Sequence, residues 1–175
     1  MVLAVPAPPT RGAGTRITGA IWQSDVTDAV TFLANPPVFQ GYQSAAQSIG
    51  NGALVALGID TEEVDTYGGH DTVTNNSRYT PTVAGYYLVI GSYGYAANAT
   101  GNRFCFAYKN GALVVRGQNG GPAPAATNTG VTQAVAVVYC NGTTDYIETY
   151  CYQSSGGALN TTNTQSGMTV YWAHA

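Results

Sequence analysis

Charge is scarce in this chain. Charged residues make up 9% of the 175, the only lysine is Lys109, and the formal net charge is -3. A polyanion needs a clustered Lys/Arg surface, so nothing here calls for nucleic acid as a partner. Histidine occurs twice, as His70 and His174, and there is no Gly-x-Ser-x-Gly elbow, so a nucleophile triad has no support. No glycine-rich turn links a strand to a helix, which removes phosphate cradling. The cysteines, Cys105, Cys140 and Cys151, lack CxxC or Cys/His spacing, so they do not suggest zinc. They fall inside predicted strands and read as small buried hydrophobes, with one disulfide plus a spare thiol as the alternative. No run of about 20 apolar residues is present, so membrane insertion is not expected. The start, Met1 to Pro6, lacks a basic leader region and does not read as a secretory signal, so synthesis in the cytoplasm is expected.

What is abundant points the other way. Gly occurs 22 times and Tyr 13 times, in a background of Thr, Asn, Ser, Val and Ala. This is the usage of an all-β domain with many tight turns. So few surface charges would leave a lone monomer prone to association, so a stable oligomer that hides part of its surface is expected.

Residues 1–37 form a first unit. Met1 to Gly14 is a proline-rich, extended arm without a packing pattern. Then Trp22, Val26, Ala29, Val30 and Leu33 recur at helical spacing, with Thr18 as cap and Asn35-Pro36-Pro37 as stop. A helix of about four turns is marginal alone in water, so its stripe needs a partner. Three are open: its own β domain, copies of itself about an axis, or a larger assembly.

Residues 38–175 read as about eight to ten short antiparallel strands with a turn every 8–12 residues, the mark of a β-sandwich. Val38 to Ser48 is an expected edge strand, and Ala53 to Ile59 places Val55, Leu57 and Ile59 on one face. Asp60 to Asn76 is polar and reads as a long inserted loop, where a functional surface would lie. Its candidates for binding are Asp65, Tyr67, His70 and Asp71. The acids near His70 lack the ligand spacing of a known calcium loop, so a solvated acidic loop is the simpler reading. No metal or cofactor is expected. An acid pair for glycan cleavage has no support either, so the chain is not expected to be an enzyme.

Tyr86 to Ala96 is apolar on both faces, Tyr87, Val89, Tyr93 and Tyr95 on one and Tyr86, Leu88 and Ile90 on the other. One face is expected under the opposite sheet and one under a neighbouring subunit. Arg103 to Lys109 puts Phe104, Phe106 and Tyr108 on one face, and Asn110-Gly111 marks a hairpin. Gln118 to Gly130 reads as a structureless loop, and Val131 to Cys140, Asp145 to Gln153 and Met168 to Ala175 as strands. The tyrosines suit a core and subunit contacts, or a platform that stacks on sugar rings.

Tyr79-Thr80-Pro81, Ala84-Gly85-Tyr86-Tyr87-Leu88 and Tyr108-Lys109-Asn110-Gly111 together resemble the complement globular-head and tumour necrosis factor-like jelly roll, from about Ser44 onward. The resemblance implies a homotrimer packed through its inner sheet, with the last strand in that sheet's middle. Tyr87, Tyr93, Tyr95, Tyr139 and Tyr171 are the trimer-interface candidates. Separately, Ser24 to Pro37 resembles the leading segment of small virion proteins of bacteriophages infecting actinobacteria, with Thr27 where that pattern often has Arg. This implies a virion component, at the tail or on the capsid surface, anchored to other virion proteins by residues 1–37 and binding a host cell-surface glycan. The alternatives are a soluble bacterial carbohydrate-binding or receptor-like module and a glycan-cleaving enzyme.

Overall fold

A computed structural model describes residues 4–7, 9–123 and 128–175. Alternating side chains close two antiparallel sheets over one another. The first sheet runs β4 (Thr61–Asp65), β1 (Val38–Tyr42), β12 (Gly167–His174), β6 (Ala84–Tyr95), β9 (Gly130–Asn141). The second runs β3 (Leu54–Ala56), β10 (Ile147–Gln153), β7 (Asn102–Lys109), β8 (Ala112–Pro122), with β5 (Arg78–Tyr79) also on β10. A short ribbon pairs β2 (Ser48–Ile49) with β11 (Leu159–Asn160). β12 lies between β1 and β6, in the middle of its sheet, as the family resemblance implied.

The period of two decides which side chains enter. On β6, Tyr87, Val89 and Tyr93 are fully buried, whereas Tyr86 is 40% exposed. On β9, Ala134, Ala136, Val138 and Cys140 point in. On β10, Ile147, Thr149, Cys151 and Gln153 point in, leaving Tyr150 and Tyr152 outside. The interior divides into two apolar clusters, one around Phe39, Tyr79, Tyr87 and Val170, the other around Ile49, Leu57, Tyr93 and Cys105. At the β7–β8 hairpin, Asn110 and Gly111 both take positive φ, 51° and 76°, which a primed two-residue turn requires.

Several boundaries differ from expectation. Val38 to Ser48 is not one strand: β1 stops at Tyr42 and Ser48 belongs to β2. β3 holds only Leu54–Ala56, though Leu57 and Ile59 are buried as their spacing predicted. The expected polar loop contains an edge strand, β4, because Thr61–Asp65 finds the free side of β1. β8 continues to Pro122 through a bulge opposite Ala107, where Arg116 takes a φ of 64°, so the hairpin extends into the expected loop. Residues 124–127 of that loop lie outside the described residues.

Ahead of the sandwich, α1 (Gly19–Trp22), a π-helical turn (Gln23–Thr27) and α2 (Asp28–Ala34) form one continuous helical segment. The Thr18 hydroxyl oxygen accepts from the Ile21 N–H at 3.3 Å, and the segment stops ahead of Pro36. In the π turn the Asp28 N–H reaches back to the Gln23 carbonyl, five residues away, which changes the phase of the faces. The arm is less free than its composition implies. Arg11 grips Asp25 with two hydrogen bonds of 2.9 and 2.8 Å, and Val5 packs against the core.

Candidate functional site

The outward face of the first sheet is an open apolar surface. Val135 is 53% exposed, Val137 61%, Tyr139 48% and Tyr171 46%, with the partly covered Leu88 and Ile90 between them. Tyr86 leans on Tyr139 edge to face at 5.3 Å and stacks on His174 at 4.7 Å. β9 is a twelve-residue strand at the edge of this sheet, and its outward residues are nearly all Val, Tyr and Gln. Long, uncharged edges of this kind recruit another chain unless something covers them. Tyr139 and Tyr171 therefore lie on a face suited to subunit contact. Tyr87, Tyr93 and Tyr95 do not, which corrects the expectation for them. They are 0%, 0% and 8% exposed and point into the sandwich, with the Tyr87 hydroxyl donating to the Val83 carbonyl at 2.6 Å. Both faces of β6 are rich in tyrosine, and alternation alone does not say which one is inside.

The helical segment presents a second apolar surface. Trp22 is 58% exposed, Val30 58%, Leu33 71% and Val26 36%, and Ala29 is partly covered. Only Phe32 is buried in α2, edge-on to Trp172 at 4.9 Å and to Tyr67 at 6.4 Å. The β domain thus takes one ring from the segment and leaves the predicted stripe uncovered.

The polar segment 60–76 is built differently from a binding loop. The His70 side chain is fully enclosed, stacked on Phe39 at 4.8 Å. Its Nδ1 faces the Glu62 carboxylate at 2.8 Å and its Nε2 the Asn76 carbonyl at 3.0 Å. Both neighbours are hydrogen-bond acceptors, so the imidazole is held from two sides. Tyr67 is 4% exposed. Asp65 accepts from the backbone N–H groups of Tyr67 and His70, at 3.2 and 2.9 Å. Tyr67 and His70 are therefore corrected from exposed binding candidates to interior ones, and Asp65 holds the turn. Asp71 is open to solvent, and the N–H groups of Thr74 and Val73 keep its carboxyl below the usual range. Beside it a polar cleft of about 580 Å³ runs past Gly69, Asn75 and Arg78 to Tyr146, with the Arg78 guanidinium 4.1 Å above the Tyr146 ring. No group of three or more His, Cys, Asp or Glu placed to hold a metal occurs among the described residues.

The remaining reactive groups are inert or structural. All three cysteines are free and buried. Burial pushes the thiols of Cys105 and Cys140 up to about 12 and that of Cys151 up as well, so none is a thiolate at neutral pH. Arg103 was not singled out by its sequence position, yet it is 1% exposed. Its guanidinium donates to the carbonyls of Thr100, Asn102 and Asn98 and lies 5.5 Å from the Tyr95 ring, pinning the β6–β7 connection. No helix among the described residues is long and apolar enough to cross a membrane.

No family model matches the chain, and no curated protein matches it in sequence. Solved structures do match in shape. Eiger TNF from S. frugiperda is 13% identical with a TM-score of 0.55, the match covering 79% of this chain and 92% of that one. Murine APRIL is 9% identical with a TM-score of 0.58, covering 78% and 98%. The PRD1 vertex protein P5 is 15% identical with a TM-score of 0.54, covering 79% and 97%. At such identities the likeness concerns backbone architecture, and with the strand order above it defines the chain as a tumour necrosis factor-like jelly-roll sandwich.

Proposed function

We propose that this chain is a non-enzymatic structural protein of a bacteriophage virion, at the tail or on the capsid surface, and that it works as a homotrimer. Residues 38–175 form the projecting jelly roll, and residues 1–37 attach it to other virion proteins. The observation that carries the reading is the helical segment. One ring, Phe32, fastens it to its own sandwich, while Trp22, Val30 and Leu33 stay open. Three large apolar side chains on one exposed helix suit docking into a further protein surface. The trimer draws support from the Val135, Val137, Tyr139 and Tyr171 face, and the virion setting from the resemblance of Ser24 to Pro37 and from the fold shared with the PRD1 vertex protein P5.

The test uses the full chain. Trp22→Asp combined with Leu33→Asp leaves the circular dichroism and solution mass unchanged and abolishes incorporation into particles. Incorporation at the original level overturns the anchoring role. A free carbohydrate-binding module, the alternative, has no particle to enter and keeps its binding with both substitutions present.

A further inference from the structure

The outward face of the second sheet carries a feature that the trimer and the anchor leave unused. On β7, Phe104, Phe106 and Tyr108 point outward, and on β10 Tyr150 and Tyr152 join them in the adjacent row. The rings are half-buried, chiefly against one another. Tyr108 stacks on Tyr150 at 4.3 Å, Phe104 and Phe106 lie 6.0 Å apart with planes 21° from parallel, and Phe104 meets Tyr152 at 6.2 Å. Gly120 of β8 stands opposite Phe104, and a Cβ there would fall 2.4 Å from the Phe104 ring. The missing side chain lets that ring lie down on the sheet instead of standing off it. Beside it, Phe104, Phe106, Tyr152 and Gln118 enclose an open groove of about 320 Å³. From Phe104 to Tyr108 the platform measures about 13 Å along the strand, at roughly 3.3 Å per residue.

We propose that this platform is a binding site for a neutral polysaccharide. Aromatic faces carry negative quadrupole charge and attract the C–H-lined face of a pyranose ring, and a row of them fits successive sugars along one chain. The phenol hydroxyls of Tyr150 and Tyr152 and the amide of Gln118 stand at the edge, where sugar hydroxyls need partners. Charge selects the class. The six residues are neutral side chains; the nearest charges are the Glu148 carboxylate, opposite Tyr108, and the Arg78 guanidinium paired with it at 3.4 Å, so with a net chain charge of -3 the platform offers an acidic polymer no unpaired cation. A second copy of this chain fits less well. The surface is flat and already self-packed, whereas the protruding valines that interdigitate with another chain lie on the opposite sheet. The site is also distinct from Asp65, Tyr67, His70 and Asp71, and it does not depend on the virion reading.

Affinity electrophoresis of the full chain decides it, in native gels containing laminarin, dextran or arabinogalactan, with hyaluronate as the acidic control. At least one neutral polymer retards migration, and hyaluronate does not. Phe104→Ala and Tyr152→Ala each weaken retardation about tenfold, the loss of a stacked ring, and Tyr152→Phe keeps most of it. Circular dichroism and solution mass stay as in the parent, and the melting temperature falls only modestly, because the rings pack on one another outside the core. No retardation by any neutral polymer overturns the proposal, as does retardation by hyaluronate alone or retardation that survives both alanine variants. A fall in solution mass for either alanine variant overturns it too, since copies of the chain then meet on this face. That mass measurement keeps the outcome separate from the anchoring test, which reads particle incorporation.

Discussion

The two outer sides of the sandwich carry different kinds of apolar residue. On the first sheet, separate valines more than half exposed, Val135 and Val137, stand beside Tyr86, Tyr139 and Tyr171, which are 40–48% exposed. On the second the apolar residues are rings that lean on one another and stay half-buried, as at Tyr108 and Tyr150. An exposed valine gains nothing from its neighbours and is satisfied only when another surface interdigitates with it. A stacked ring is partly satisfied by the next ring and still offers a flat face. The two outer faces therefore suit different partners, a protein surface on one side and a planar ligand on the other.

The sharpest test of that contrast lies within one strand, and it has the largest effect expected. Tyr87→Ala removes a ring from the core and costs about 3–5 kcal/mol of stability, as buried aromatic truncations do. Tyr86→Ala, one residue earlier and on the outer face, costs about 1 kcal/mol or less in the isolated chain and weakens self-association instead. Chemical denaturation and sedimentation read the two effects separately, and equal destabilisation by both would erase the distinction between the faces. Next in size, Val135→Asp with Val137→Asp puts two charges on the first sheet's outer face. The expected result is a fall from trimer to monomer mass with unchanged circular dichroism. An unchanged mass would move the subunit contact elsewhere.

A smaller effect concerns pH. Asp145 accepts from the Lys109 ammonium at 2.8 Å, aided by the Asn110 amide and the Asn141 N–H, and this holds its carboxyl below the usual range. A depressed carboxyl adds stability above its unfolded value of about 3.9 and loses it as pH falls through the folded value. Stability should therefore drop below about pH 4, and Asp145→Asn should flatten that limb. Smallest of all is the helix comparison at Leu33. Leu33→Ala shifts stability by no more than about 0.5 kcal/mol because the side chain is exposed, while its neighbour Phe32→Ala loses a buried ring.

Much of the fold was legible from alternation. Tyr150 and Tyr152 separate from Ile147, Thr149 and Cys151 in the chain as they do in space, while Glu148, on the tyrosine side by parity, is buried beside Ser77 and Arg78. The Asn110-Gly111 turn was equally plain, since few residue pairs tolerate its backbone. β4 was not legible. Thr61–Asp65 has three acids in five residues and gains strand character only from the open edge of β1. The enclosed histidine was hidden for a similar reason, because the ring that covers His70, Phe39, comes from β1, and Glu62 and Asn76 meet the imidazole only once the segment folds back on itself. The outer aromatic row was half legible. Phe104, Phe106 and Tyr108 share a face by parity, but nothing local says that Tyr150 and Tyr152 stand beside them or that Gly120 makes room underneath.

Residue order alone determined which side chains share a face, where the tight turns fall and that the architecture is all-β, because a pleated strand repeats every two residues whatever lies around it. Only the tertiary structure decided which of two tyrosine-rich faces is interior, which helix residue docks and which rings gather into a platform. Those outcomes depend on pairing between strands far apart in the chain, and a local pattern holds no information about the partner that arrives from elsewhere.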